Sequence, residues 1–393
     1  MIERLIEGKL VSLAEKFPVV TLTGPRQSGK TTLVKKVFPD YEYVSLEDPN
    51  TRVWAMDDPV AFLDRYPSRT IFDEAQRFPE LFSYAQRRID ECGEPGQYII
   101  TGSQNFQLID TVSQSLAGRV AVLILLPLSY AEVMGAGIAA MPSDEWIVRG
   151  AYPRIYAQEI EPTDYYPSYV QTYLERDVRK ELGVVKIAEF ERFLVLCALR
   201  TGEILNIAGL ARDCGVSTKT AADWLSVLES SYIIHMVQPW YSNAGKRLIK
   251  TPKLYFWDTG LACNLIGIES AAELVGHQKR GALFETAVIS EVAKHCLARG
   301  RKPRLSFWRD TNGAEIDLIV EKGVRPVCAF EIKSSRTFNP KYFDILERIA
   351  PGELGMAKGE YAVVYGGNET LETSRGRVLS LNDIPQDLGN AGL

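Results

Sequence analysis

Residues 17–23, Phe-Pro-Val-Val-Thr-Leu-Thr, read as a short buried strand. At Gly24 the chain enters Gly24-Pro25-Arg26-Gln27-Ser28-Gly29-Lys30-Thr31-Thr32, and a helical pattern runs from Lys30 to Phe38, stopped by Pro39. The glycines let backbone N–H groups turn toward one anion, and the helix that follows places its positive end there. This spacing, with a strand before and a helix after, matches the P-loop that cradles nucleotide phosphates. Residues Gly24 to Thr32 are therefore the expected nucleotide contact. Lys30 is expected to neutralise the β- and γ-phosphates of ATP, and Thr31 to hold Mg²⁺.

About forty residues on, Thr70-Ile-Phe-Asp73-Glu74 is an apolar strand ending in two carboxylates. Asp73 is expected to complete the Mg²⁺ shell and Glu74 to orient the attacking water as general base. Each motif alone has a bland reading, an anion-binding turn or an acidic strand end. Their order on neighbouring strand ends argues for a nucleotide site. A further strand, Gln97–Thr101, runs into Gly102-Ser103-Gln104-Asn105, which brings Ser103 or Gln104 beside the γ-phosphate or simply forms a polar turn. Arg119, just before the apolar run Val120–Leu126, is either a finger reaching a neighbouring subunit's γ-phosphate or a solvated surface arginine.

Strand-like runs at 43–46, 70–72, 97–101 and 120–126 alternate with helical ones at 30–38, 59–66 and 79–91. That pattern argues for an α/β fold built on a parallel sheet with helices on both faces. The 393 residues suggest two or three such units. The expected division is 1–145 for the ATPase core, 146–200 for a helical lid or linker, 201–265 for a winged helix-turn-helix and 266–393 for a C-terminal α/β domain. A 46% hydrophobic and 24% charged composition excludes a mostly disordered chain. The run Val120–Leu126 is too short for a membrane helix, and a soluble, cytoplasmic protein is expected. Six scattered cysteines and three histidines show no metal-ligand spacing. Forty-five basic against fifty acidic residues leave a net charge of −5, so any nucleic-acid contact must come from local patches.

The segments Gly24–Leu33, Asp73-Glu74-Ala-Gln, Thr101-Gly-Ser, Leu116-Ala-Gly-Arg119 and Pro127-Leu-Ser together resemble the prokaryotic AAA-type ATPases that carry a DUF4143 C-terminal region. The resemblance implies a homo-oligomer in which Arg119 acts in trans, and makes Arg154 a possible occupant of the second-sensor position. It extends through Thr172–Asp177 and Lys253–Gly260.

In the middle module, helix 206–214, turn 215–217, helix 218–230 and strand 232–237 follow the order of a winged helix-turn-helix. Ser217, Thr218, Lys219 and Thr220 stand at the start of the candidate recognition helix. Trp240 and Tyr241 precede Lys246, Arg247, Lys250 and Lys253, a combination suited to stacking and phosphate contact with nucleic acid, expected to be DNA. The alternative is a protein-interaction module with a solvated basic hairpin.

In the C-terminal module, Glu315-Ile-Asp317 and Glu331-Ile-Lys333 lie on successive strands, and alternation puts Glu331 and Lys333 on one face. Paired strands bring Asp317 near them, as two Mg²⁺-binding carboxylates and a charge-stabilising lysine. The set resembles the PD-(D/E)xK nuclease superfamily, which implies a restriction-endonuclease-like domain and makes Glu285 the helical member. Arg299, Arg301, Lys302 and Arg304 are the expected phosphate-tracking surface. The alternative is a salt-bridged strand pair in a silent domain, with the whole protein a nucleotide-gated switch or scaffold for a protein partner.

Overall fold

A computed structural model describes residues 2–103, 116–138, 141–174, 187–241 and 251–393. The apolar runs of the N-terminal part form one parallel sheet, β1 (Val19–Thr23), β2 (Glu42–Ser45), β3 (Thr70–Asp73), β4 (Tyr98–Gly102) and β5 (Val120–Ile124), in the order β2-β3-β4-β1-β5. Central β1 is buried along its whole length, as expected of a parallel strand covered on both faces. One face packs Val20, Leu22 and Ile99 against Leu33 and Val34 of helix Lys30–Val37 and Leu10 of helix Glu7–Ala14. The other packs Val19, Phe72, Tyr98 and Ile100 against Phe62 and Phe82. Because all five strands run the same way, their carboxyl ends, Thr23, Asp73 and Gly102 among them, share one edge. In open α/β sheets that edge is where ligands bind.

The C-terminal half is a mixed sheet of β6 (Ile234–Pro239), β7 (Lys253–Phe256), β8 (Leu305–Arg309), β9 (Glu315–Lys322), β10 (Arg325–Lys333), β11 (Tyr361–Tyr365), β12 (Leu371–Glu372) and β13 (Arg377–Leu379). The order is β12-β13-β11-β10-β9-β8-β6-β7. Helices Ile207–Cys214 and Thr218–Ser230 fall where the sequence places them, joined by the turn at Gly215. The hairpin that follows is no free-standing wing. β6 pairs antiparallel with β7 on one side and parallel with β8 on the other, Gln238 opposite Ser306. The expected division at 265/266 thus runs through one sheet, and one apolar core extends from Leu128 to Leu393. Trp240, read as a stacking aromatic, is instead buried in a cluster with Ile316 and Phe343, and its backbone N–H donates to Phe307 O at 2.6 Å. An indole in that apolar pocket is worth more buried than wet.

Helix Arg280–Ala298, the longest among the described residues, is buried on nearly every side from Leu283 to Leu297, as its lack of a polar face requires. It packs on β7 and β10 of the C-terminal sheet and on β5 of the parallel sheet, so it joins the two halves. Among the described residues no helix is long and apolar enough to cross a membrane.

Candidate nucleotide site and carboxylate cluster

The loop after β1 is shaped by contact rather than by preference. Gly24 has φ +149°, and a Cβ there would lie 2.1 Å from Leu125 O, so only glycine permits the approach to β5. Lys30, almost fully buried, curls back so that its Nζ donates to Gly24 O at 3.0 Å and Pro25 O at 2.8 Å. Ser28 Oγ is buried without a partner. A buried ammonium and an unsatisfied hydroxyl at the start of helix Lys30–Val37 fit a polyphosphate. Thr31 Oγ1 donates to Asp73 Oδ2 at 2.8 Å, which puts the two expected Mg²⁺ ligands side by side. Tyr43 OH donates to the same oxygen at 2.6 Å. The Thr101 hydroxyl and Glu74 N–H occupy Asp73 Oδ1, the latter at 3.1 Å. The aspartate is held from β2, from β4 and from the helix after the loop.

Glu74 takes a left-handed backbone, φ 54°, which breaks the strand and turns its side chain toward Gln76. Gln76 Nε2 donates to Glu74 Oε2 at 2.5 Å and to Ser103 Oγ at 3.1 Å, so Gln76 links Ser103 to Glu74. The sequence reading assigned Gln76 no role. Its position two residues past the carboxylate was the available signal.

A cleft of about 590 Å³ opens over the loop. Arg26, Gln27, Gly29, Lys30, Thr31 and Thr32 line it, while Gly24, Pro25 and Ser28 form the loop behind. Its far end is apolar, with Ile2, Leu128, Pro153 and Ala157, and Arg154 and Gln158 border it. That combination suits a nucleoside attached to a polyphosphate. Tyr165 OH donates to Gln27 Oε1 at 2.8 Å, tying the loop to the helical segment. Arg4, also unassigned from sequence, is buried behind the loop. It bonds Ser28 O at 2.8 Å and Leu126 O at 2.7 Å, and pairs with Glu132 at 3.1 Å.

Arg119 lies at the opposite edge of the sheet. Val120 is level with Val19, whereas the phosphate loop follows Thr23, so it does not reach its own chain's site. Its guanidinium pairs with Asp90, one contact being 2.8 Å. Gln104 lies outside the described residues.

Burial lowers the Lys30 pKa to about 8, against the opposing pull of Glu74 and Asp73. Phosphate raises it again, so binding at pH above 8 must take up a proton. Affinity for a non-hydrolysable ATP analogue is expected to hold below pH 8 and to fall by up to about tenfold per pH unit above it. Calorimetry at pH 8.5 in two buffers measures the uptake. No uptake, together with a flat affinity from pH 7 to 9.5, would remove Lys30 from this role.

The C-terminal carboxylates also converge. Asp317 Oδ2 accepts from Ile332 N at 2.7 Å and from Lys333 Nζ at 3.4 Å, and Lys333 pairs with Glu331 at 2.6 Å. Glu285 lies against the same group, and the carboxylates of Glu285, Glu315 and Asp317 place one oxygen each within 4.8 Å of the others. Burial first, and the Asp317 charge second, push Glu285 and Glu331 up to about 7. Glu315 was missed, although it shares a strand face with Asp317 two residues on. Lys253, read as a wing charge, is 3% exposed. Its Nζ donates to Glu285 Oε1 at 3.0 Å and to Glu315 Oε1, and the Tyr255 hydroxyl also donates to Glu285. Lys253 leaves the surface because β7 is part of this sheet.

Lys219 is exposed on helix Thr218–Ser230, while Ser217 caps that helix through Thr220 N at 3.0 Å. Lys246, Arg247 and Lys250 lie outside the described residues. Arg299, Arg301, Lys302 and Arg304 are exposed, but fourteen helical residues, roughly 21 Å, separate Arg299 from Glu285. They are not beside the carboxylates, and the expected phosphate-tracking surface is absent from that position.

Family models match three successive segments: an AAA domain over residues 16–134, a domain of unknown function, DUF8612, over 143–272, and a domain of unknown function, DUF4143, over 280–384. The uncharacterized proteins Rv2008c of Mycobacterium tuberculosis and Mb2031c of Mycobacterium bovis are each 34% identical over 372 residues, covering 93% of this chain and 80% of the relative. Among solved structures, the Walker-type ATPase PABY2304 of Pyrococcus abyssi aligns over 67% of this chain and 96% of that one, at 15% identity and a TM-score of 0.46.

Proposed function

Because the chain belongs to the AAA-type P-loop ATPases that carry a DUF4143 domain, and so binds and hydrolyses ATP, we propose that its ATP cycle is coupled to nucleic-acid binding by the middle and C-terminal modules. Thr31 and Asp73 would hold Mg²⁺, which would supply charge neutralisation at the phosphates. Lys30 binds the same phosphates, Glu74 takes the proton of the attacking water, and Gln76 and Ser103 hold Glu74 in place.

One observation carries the coupling. Just after β5, Tyr130 N donates to Glu291 Oε2 at 2.8 Å, and Lys294 Nζ donates to Leu128 O at 2.8 Å. Both acceptor and donor stand on helix Arg280–Ala298, which also carries Glu285. A displacement at the wall of the nucleotide cleft therefore moves the helix that enters the carboxylate cluster. Lys219, Lys246, Arg247 and Lys250 are the proposed phosphate contacts, with duplex or single-stranded DNA as ligand. Arg119 is the proposed finger in a homo-oligomer, released from Asp90 when a neighbouring subunit docks.

The test is ATP turnover over a range of protein concentrations, with and without single-stranded, duplex and branched DNA. Turnover is expected to rise with protein concentration and with one DNA form. Replacing Lys246 and Arg247 by alanine is expected to weaken that DNA and to flatten the log–log salt slope of its affinity by about 2. Turnover indifferent to every nucleic acid would leave the second reading, a nucleotide-gated switch acting on a protein. That reading is favoured by the lysine that fills the carboxylate cluster.

A further inference from the structure

The carboxylate cluster of the C-terminal domain has the residue types of a divalent-metal site, but a lysine already bridges two of its carboxylates. Glu285 Oε1 receives Lys253 Nζ at 3.0 Å and the Tyr255 hydroxyl. Glu315 Oε1 receives Lys253, and Glu315 Oε2 receives Arg309 at 3.3 Å. Asp317 Oδ2 receives Ile332 N and Lys333, and Glu331 pairs with Lys333. Four carboxylates thus meet three cations, Lys253, Lys333 and Arg309. Glu285 Oε2, Asp317 Oδ1 and Glu331 Oε2 receive no hydrogen bond among the described residues, yet Lys253 Nζ bridges Glu285 and Glu315, two of the three carboxylates that converge.

We infer that Lys253 is the resident cation of this cluster, so that Glu285 and Glu315 are closed to a divalent ion unless Lys253 withdraws. The lysine is too buried to swing into solvent without β7 shifting, since Lys253 is paired opposite Val237 of β6. An ammonium sharing Glu285 Oε1 with Mg²⁺ would face a doubly charged neighbour at contact distance, in a site where water screens little. Removing Lys253 alone takes the one cation from Glu285 and one of two from Glu315, both half-buried, and a divalent ion is then the available replacement. The residues therefore do not fit the metal that the nuclease-like pattern implies, and the cluster works in this chain as an ionic joint between β7, β9 and the long helix.

The test uses the full chain without nucleotide, titrated with Mn²⁺ and read by electron paramagnetic resonance. Wild type is expected to show no Mn²⁺ site that disappears in Glu285→Gln. Lys253→Met is expected to gain one Mn²⁺ site, about 10–100-fold tighter than any binding wild type shows, and to lose it in the Lys253→Met/Glu285→Gln double variant. The Mn²⁺ ion should also raise the melting temperature of Lys253→Met more than that of wild type. Lys253→Gln is measured alongside, in case the methionine variant does not fold. A wild-type Mn²⁺ site abolished by Glu285→Gln overturns the inference. So does failure of both folded Lys253 variants to gain Mn²⁺.

Discussion

Glu74→Gln is expected to reduce ATP turnover by roughly 100- to 10,000-fold while nucleotide binding is retained, the range that a positioned general base contributes. The amide keeps the shape and the hydrogen bond to Gln76 but cannot accept the proton of the attacking water. The geometry makes this more than a motif match. Asp73 points into the Thr31, Tyr43 and Thr101 hydroxyls and is not available to a water. Glu74 is turned by its left-handed backbone to line the cleft. Steady-state turnover and analogue affinity are measured on the same preparation. A loss below about tenfold would move the base elsewhere, and a parallel loss of affinity would make Glu74 a binding group.

The second large effect is on stability. Arg4→Met is expected to cost about 3–5 kcal/mol, because it leaves Glu132 buried without its counter-ion. The Arg4 and Glu132 side chains are 9% and 6% exposed, so water offers little compensation. Arg4 also satisfies the carbonyls of Ser28 and Leu126, which methionine cannot do. The double variant Arg4→Met/Glu132→Met should recover much of the loss, since a buried pair replaced by apolar groups is often neutral. Urea denaturation followed by fluorescence measures both. A single-variant cost under about 1 kcal/mol would mean the pair behaves like a surface ion pair.

What was legible in the chain was local. The strand-loop-helix at 17–38 and the Thr70–Glu74 strand end are each determined by a few neighbouring residues, and the parallel sheet follows from their alternation with helices. Arg4 was not legible, because its partners lie 24 to 128 positions away and no periodicity marks an arginine as buried. Lys253 was read with the charges before it because alternation gives the face of a strand but not its neighbour. Its burial depends on β6 accepting β8 as a parallel partner, Gln238 against Ser306. Such a pairing leaves no mark on either segment. Glu315 could have been read from its place two residues before Asp317.

The mixed sheet and the core beneath it also bear on how such a gene can change. A recombination point between residues 272 and 280 would look harmless, falling between two recognisable segments. It would separate β6 and β7 from β8 and strip the cover from an apolar interior that runs from Leu128 to Leu393. Chimaeras joined there should aggregate, and lineages should pass the two segments on as one block. New sequence is more readily absorbed at the turn after β2, an edge strand whose neighbours at 47–50 are exposed.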